Sequence, residues 1–325
     1  MGQISMRQDT DFEDTNYSEI IYRSLLKYRN SIFGFSILLV VLYHWCCDSA
    51  SLQKFFLPFI NGAIGCDIFF FLSAFGLCFS LNKYTIVQFY KRRVLRIYPL
   101  FILLNIYCSI VQICNGAKLD LWDWFCNLSG LSYYGLGGSI NNWFISSLIL
   151  MYFLTPGLYK LCLRLGNLAF YIVMILAFSA IYILKPDWPY ESFIARIPLY
   201  ILGILYYNYK GNLVNLKVPL LLCLVFFQLS YNGHEYFMML ATFMPVLLLS
   251  LIVICNNINN HHVISYIGSK SLEIFFGNII ARGILRMFDF SDIETVLMYI
   301  PLNILFSTIM IFLGMMLSRL FNSKI

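Results

Sequence analysis

Residues Ile60–Leu81 read INGAIGCDIFFFLSAFGLCFSL, an apolar run without proline that carries a single charged side chain, Asp67. A helix that crosses a bilayer needs about 20 mainly apolar residues, and this run has that length. A backbone in hydrocarbon must satisfy its own hydrogen bonds, which a helix does. A carboxylate near the middle of such a helix is costly in contact with lipid, so Asp67 should face the interior of a bundle. Outward from this run the pattern repeats. Further spans are expected at Ser31–Cys47, Pro99–Cys114, Trp143–Leu163, Leu168–Leu184, Phe193–Tyr207, Val218–Leu229, Tyr236–Cys255, Val263–Ala281 and Val296–Leu317. The expected fold is all-α: a polytopic transmembrane helical bundle of about ten helices.

Composition agrees. Of 325 residues, 60% are hydrophobic and 12% charged, with a mean hydropathy of +0.75, whereas soluble domains carry roughly a quarter charged residues. Lys and Arg collect in short cytoplasmic loops, and placing the N-terminus inside puts most of the 22 basic residues on one face. Both termini are then cytoplasmic. The expected divisions are a polar N-terminal segment over 1–30, one membrane domain over 31–320 and a short tail over 321–325. The net charge of +6 reads as a topology signal and contact with anionic membrane lipids, not as a nucleic-acid footprint. The first twenty residues are polar and acidic, so no cleavable signal peptide is expected and the first span should serve as an anchor.

Ten cysteines lie mostly in apolar runs, without CxxC or Cys/His spacing, and read as small hydrophobes rather than metal ligands. Only Cys47, Cys114 and Cys126 would meet an oxidising outer compartment. The longest break, 115–142, is expected outside. Its Trp122, Trp124, Tyr133 and Tyr134 suit either an interfacial aromatic belt or a sugar-binding surface. No repeat relates the two halves, which weighs mildly against a transporter.

Four polar groups fall within spans: His44, Asp67, Arg196 and Glu273. His44 lies about 20 Å along the outgoing first span, and Asp67 is at matching depth on the returning second. A neutral imidazole can take a proton from a hydroxyl while a carboxylate fixes its tautomer. The plainer reading is an interfacial histidine beside Trp45. Arg196 and Glu273 read as a structural ion pair. Lys91, Arg92, Arg93 and Arg96 precede Pro99 and are either topogenic or a clamp for phosphates, which guanidinium groups grip through paired charged hydrogen bonds.

Four stretches, in this order, resemble the acyltransferase-3 family of integral membrane O-acyltransferases: 37–44 (ILLVVLYH), 65–75 (GCDIFFFLSAF), 92–99 (RRVLRIYP) and 143–146 (WFIS, leading to Tyr152 and Pro156). A weaker echo lies at 268–275 (GSKSLEIF). The resemblance implies a ten-span fold that moves an acyl group, commonly acetyl from acetyl-CoA, to a carbohydrate hydroxyl, as glycan O-acetyltransferases do, and it suggests a bacterial inner membrane. His44 matches the family's catalytic histidine. Arg93 and Arg96 match an RxxR pair assigned to the acyl donor, and Asp67 and Ser73 fall in the second-helix signature. Two positions depart. Phe33 stands where the family carries an arginine, with Arg29 one turn earlier and only about 60° from His44 around the helix. Asn278 stands where many relatives carry a late histidine.

The expected chemistry has a coenzyme A thioester docked on Arg92, Arg93 and Arg96, with Arg29 as a further candidate and no metal. His44 serves as general base or transient acyl carrier, oriented by Asp67, and Ser73, Trp143 or Asn278 stabilises the oxyanion. A lipid-linked glycan transporter or flippase, a glycan polymerase and a non-catalytic relative are the alternatives.

Overall fold

Helix α1 (Ser5–Asp48) runs unbroken from the polar N-terminal stretch through the first apolar one. The change of composition near residue 30 therefore marks a change of surroundings, not an end of the helix. This computed structural model describes residues 5–56, 62–138, 140, 142–211, 250–252, 254–257, 262–288 and 290–322. Among them every regular element is helical. After α1 come α2 (Ala50–Phe56), α3 (Gly62–Lys83), α4 (Ile86–Cys114), α5 (Leu121–Ser129), a 3-10 turn (Leu131–Tyr134), α6 (Trp143–Leu165) and α7 (Asn167–Leu184). The order continues with α8 (Trp188–Ile194), α9 (Ile197–Asn208), α10 (His262–Ser269), α11 (Ser271–Met287) and α12 (Asp292–Asn322).

Six stretches of described helix are long and apolar enough to cross a membrane: Glu19–Asp48, Ile64–Lys83, Ile86–Cys114, Trp143–Leu165, Asn167–Leu184 and Asp292–Leu320. The expected seventh span, and all of the eighth but the stretch near Cys255, lie outside the described residues. Helix α12 shows how such a helix is sided. Tyr299, Asn303 and Ser307, four residues apart, are buried, while Leu297, Ile304, Leu305 and Phe312 are exposed. Polar groups inward and large apolar groups outward is the pattern of a helix solvated by lipid. This is an integral membrane protein.

Three further departures from the expected spans each have a local reason. The third span starts well before Pro99. Thr85 caps α4, its side chain accepting from the Gln88 amide while the Gln88 side chain accepts from the Thr85 amide. This reciprocal cap starts the helix about two turns ahead of the arginines, so Arg92, Arg93 and Arg96 lie on helix rather than in a loop. The sixth span is divided at Ala195 and Arg196, because Pro198 in the first turn of α9 has no N–H to continue the preceding helix. The ninth is divided at Lys270, within Gly268-Ser269-Lys270-Ser271, where Gly and Ser favour helix weakly.

The chain forms two compact units. Met1–Phe33, Cys66–Lys83 and Tyr152–Tyr266 make the first, and Gly34–Gly65, Tyr84–Met151 and Ile267–Ile325 the second. In the second unit α11 lies directly against α12. A Cβ on Gly277 would meet the Ser307 backbone nitrogen at 2.5 Å, so only glycine permits that approach. The long break is also folded within this unit. Asp120 and Asp123 cap α5 reciprocally, Trp122 donates to the Leu136 carbonyl at 2.7 Å, and Gly138 N donates to Asp123 at 2.8 Å. Trp122 and Phe125 stay half exposed with their rings 5.4 Å apart. Cys47, Cys114 and Cys126 are free thiols.

Candidate functional site

In the second unit the last turns of α1 run beside α11. His44 Nδ1 lies 2.6 Å from Asn278 Oδ1. Asn278 Nδ2 donates to the Tyr299 hydroxyl at 2.7 Å, and that hydroxyl donates to the Val41 carbonyl at 3.3 Å. The far end of this chain fixes its direction. A backbone carbonyl only accepts, so Tyr299 must spend its one hydrogen on Val41 and accept from Asn278. The amide nitrogen therefore faces Tyr299, the amide oxygen faces the imidazole, and an amide oxygen also only accepts. The proton of neutral His44 is thus on Nδ1, and Nε2 carries the lone pair. Asn278 and Tyr299 are buried, and the Trp45 ring stacks on Tyr299 at 6.1 Å.

One turn beyond, the same two helices are joined by charge. Asp48 accepts from Arg282 Nε at 2.5 Å and Nη2 at 2.9 Å, and from Arg286 Nη2 at 2.8 Å. Asp48 follows His44 by four residues, and Arg282 follows Asn278 by four. One turn of helix brings the same face round again, so the neutral contact and the ionic one are successive rungs between α1 and α11. Ser49 and Ser51 extend the series to Asp292 at the start of α12.

At the other end of α11 is a cleft of about 350 Å³ lined by Arg92, Arg93, Arg96, Pro99, Glu273 and Ser318, among others. Arg92 and Arg96 are one turn apart on α4, and Pro99, lacking an N–H, cannot bond the carbonyl of Leu95, another residue of the lining. The Arg92 guanidinium lies over the Tyr84 ring at 4.4 Å and that of Arg93 over Phe89 at 5.9 Å. Arg96 reaches Glu273 through Nη1–Oε1 at 3.0 Å and Nη2–Oε2 at 3.3 Å. Five residues of α11, about 7.5 Å of rise, separate Glu273 from Asn278. Phe275 fills part of that interval and packs on Phe144 at 5.1 Å. Trp143, beside Phe144, opens α6 and is half buried.

The first unit holds the remaining candidates. Asp67, fully buried, pairs with Arg196 Nε at 2.7 Å, and Arg196 Nη1 donates to the Ser192 carbonyl at 2.7 Å. Removing either partner would strand a buried charge, at a cost of about 3–5 kcal/mol. Ser73 Oγ accepts from the Tyr152 hydroxyl at 3.3 Å. Arg29 donates to the Leu72 carbonyl at 3.4 Å and lies over Phe33 at 5.0 Å, and Phe33 in turn stacks on Phe69 at 5.1 Å. Where the resemblance has an arginine, this chain has an aromatic ring roofed by the arginine of the preceding turn.

Two expected pairings are therefore replaced. The partner of Arg196 is Asp67 and that of Glu273 is Arg96, so the two supposed members of one ion pair belong to different pairs. The group hydrogen-bonded to His44 is Asn278, while Asp67 is neutralised by Arg196. Sequence depth could not distinguish these, because several polar groups share a level and only helix neighbours decide which meet. Tyr299 carries no distinguishing signal in the sequence, because a tyrosine in an apolar span usually reads as core or belt. Asp48 and Arg282 had a usable signal in their shared four-residue offset from His44 and Asn278.

The model of the acyltransferase-3 family, described as an acyltransferase domain, matches residues 34–320. No curated protein and no solved structure matches the chain.

Proposed function

The chain belongs to the acyltransferase-3 family and is a membrane acyltransferase, and from that premise we propose that it moves an acyl group, commonly acetyl, from a coenzyme A thioester to a carbohydrate hydroxyl, with His44 Nε2 as the base. The single observation that carries this reading is the chain from Val41 through Tyr299 and Asn278 to His44 Nδ1. It supports an imidazole held in one tautomer with its basic nitrogen turned away from its partners.

Nε2 removes the hydroxyl proton as the acceptor oxygen bonds to the thioester carbon. The carbon–sulfur bond then breaks, and the imidazolium returns its proton to the departing thiolate, leaving an ester and free coenzyme A. Donation to the carbonyl oxygen as it gains charge falls to the second N–H of Asn278 or to the indole of Trp143. The donor's phosphates dock in the arginine-lined cleft, facing the cytosol of a bacterial cell, and the acceptor arrives from the other side. With an amide rather than a carboxylate beside it, the imidazolium gains no ionic partner through Nδ1. The base is accordingly suited to brief protonation rather than a lasting charge.

The test is mass spectrometry of surface glycans from cells with wild-type protein, His44→Ala, or no gene. Loss of an ester-linked acyl mass in the last two is expected. Full acylation by His44→Ala would remove the imidazole from the mechanism, and an unchanged glycan in cells without the gene would remove the assigned acceptor. A protein that gains the acyl mass on His44 when given donor alone would make Nε2 the nucleophile rather than the base.

A further inference from the structure

We propose that residues 121–138 are not a loop in water but a re-entrant segment folded back into the membrane beside α4, and that the exposed face formed by Leu121, Trp122 and Phe125 packs against lipid acyl chains of the leaflet opposite the arginine cleft. The sequence alone places this break outside the membrane and leaves its aromatic rings open to either lipid or sugar.

Three observations carry it. The first is depth. From Arg96 to Cys114 α4 rises about 27 Å, close to the roughly 30 Å of a hydrocarbon core, and Ile86–Cys114 is apolar enough to cross it. The chain does not stay beyond Cys114. Asn127 Nδ2 donates to Ser109 Oγ at 3.2 Å, a level about 7.5 Å back along α4. Asn142 Nδ2 donates to Asn105 Oδ1 at 2.6 Å, about 13.5 Å back. Deeper still, a Cβ on Gly130 would lie 3.1 Å from Phe101 Cζ. Helix α5 therefore returns alongside the helix it follows, and the 3-10 turn after it lies well inside the span.

The second observation is how the polar groups are met. Between 121 and 142 the only charge is Asp123, whose oxygens accept from Asp120 N at 3.2 Å and Gly138 N at 2.8 Å. Asn127 Oδ1 accepts from Ile140 N at 3.4 Å, Ser132 Oγ donates to the Ile140 carbonyl at 2.8 Å, and Trp122 holds the Leu136 carbonyl. Irregular backbone is tolerated at membrane depth where protein groups satisfy it, and these side chains do so. Lys118 and Asp120, both exposed, come just ahead of α5, at the water boundary.

The third is the face itself. Cys126 and Asn127 are buried, while Leu121, Trp122 and Phe125 are 89%, 55% and 52% exposed. Leu121 offers nothing to a sugar, whereas leucine beside two aromatic rings is the composition of a helix face set into a lipid interface. Ile110 and Ile113 of α4, also exposed, are within about one turn of Ser109, so the lipid-facing side of α4 and this face share a depth.

That depth bears on the reaction. Arg96 Nη2 donates to the Ser269 carbonyl and the Tyr107 hydroxyl to the Ile280 carbonyl, each pair 173 residues apart. The two helices thus run side by side in constant register, which puts Asn105 level with Asn278. Asn142 and the start of α6 are then level with the partner of His44 rather than at the membrane surface, and an acceptor hydroxyl has to reach that depth. The re-entrant fold holds whether or not His44 is the base.

The experiment uses purified full-length protein in nanodiscs of phosphatidylcholine carrying bromine on its acyl chains, with unbrominated nanodiscs as reference. The emission of Trp122, taken as wild type minus Trp122→Phe, should fall at least about twofold in the brominated discs, as for a ring among acyl chains, and should resist quenching by aqueous iodide. Phe125→Trp, read as added emission over wild type, gives the same measurement without loss of the Trp122 hydrogen bond, should Trp122→Phe fail to fold. Phe125→Asp should cut the folded yield at least about threefold, because it sets a charge in hydrocarbon, whereas an exposed ring in water tolerates that change. Quenching by iodide and not by bromine at both positions would overturn the proposal, as would an unchanged yield of Phe125→Asp. A shift of Trp122 emission on adding a soluble oligosaccharide, with iodide access before it, would assign the face to sugar instead and overturn the lipid contact.

Discussion

Two buried polar clusters, one from each unit, are built on opposite plans. In the first, Asp67 and Arg196 cancel one another at 2.7 Å, with side chains 0% and 1% exposed. In the second, His44, Asn278 and Tyr299 form a neutral chain that ends on an imidazole. A closed ion pair has nothing to exchange, because moving its proton or its charge would leave the other half stranded in a low-dielectric interior. A neutral chain that begins at a backbone carbonyl has a direction, and its last member keeps a lone pair. On the proposed mechanism it is this open end, and not the burial of polar groups as such, that equips the second cluster for proton transfer.

The sharpest way to break this contrast is at the open end. His44→Ala should lower transfer by about a thousandfold or more, within the range of a lost general base, while the thermal unfolding midpoint in detergent stays near that of the wild type. A large fall in that midpoint together with retained activity would reverse the roles assigned to the two clusters. At the closed end the expectation is opposite. Arg196→Met or Asp67→Asn should destabilise the protein by about 3–5 kcal/mol, seen as poor yield or early unfolding. The double change Asp67→Leu with Arg196→Met should regain much of that loss. If it instead folds well but is inactive, the pair has a chemical role beyond neutralisation.

Smaller effects sharpen the picture. Tyr299→Phe removes the hydrogen bond to Val41 and the acceptor that holds the Asn278 amide in one orientation. A drop of about tenfold in kcat, equivalent to about 1.4 kcal/mol, is expected, with the acceptor KM nearly unchanged. No change in kcat would mean that the tautomer is not set through Tyr299. Gly76→Ala is the mildest of the series. An added Cβ there would enter the space of the Arg29 guanidinium, whose flexible end can shift, so a loss of about 1 kcal/mol in stability is expected, at the low end of overpacking costs. Equal stability and equal activity would show that the packing of Arg29 over Phe33 adds little.

Much was legible beforehand. The apolar run around Asp67 and its repetition required membrane helices, since hydrocarbon admits no unpaired backbone. The ordered stretches ending at His44, at Phe75 and at Pro99 marked the family, and the arginines ahead of Pro99 marked a cleft that they do line. The breaks at Arg196 and Lys270 were less visible. Pro198 announced the first, but a long hydrophobic average hides a single missing N–H.

Sequence by itself determined the solvent of this protein, the helical nature of its described elements and the small set of side chains able to do chemistry, because length, hydropathy and residue type are properties of one segment at a time. Tertiary structure alone decided the partners: Asn278 rather than Asp67 for His44, Arg196 for Asp67, Arg96 for Glu273. The physical reason is that depth along a helix is written in the sequence, whereas the neighbour met at that depth depends on which helices pack side by side.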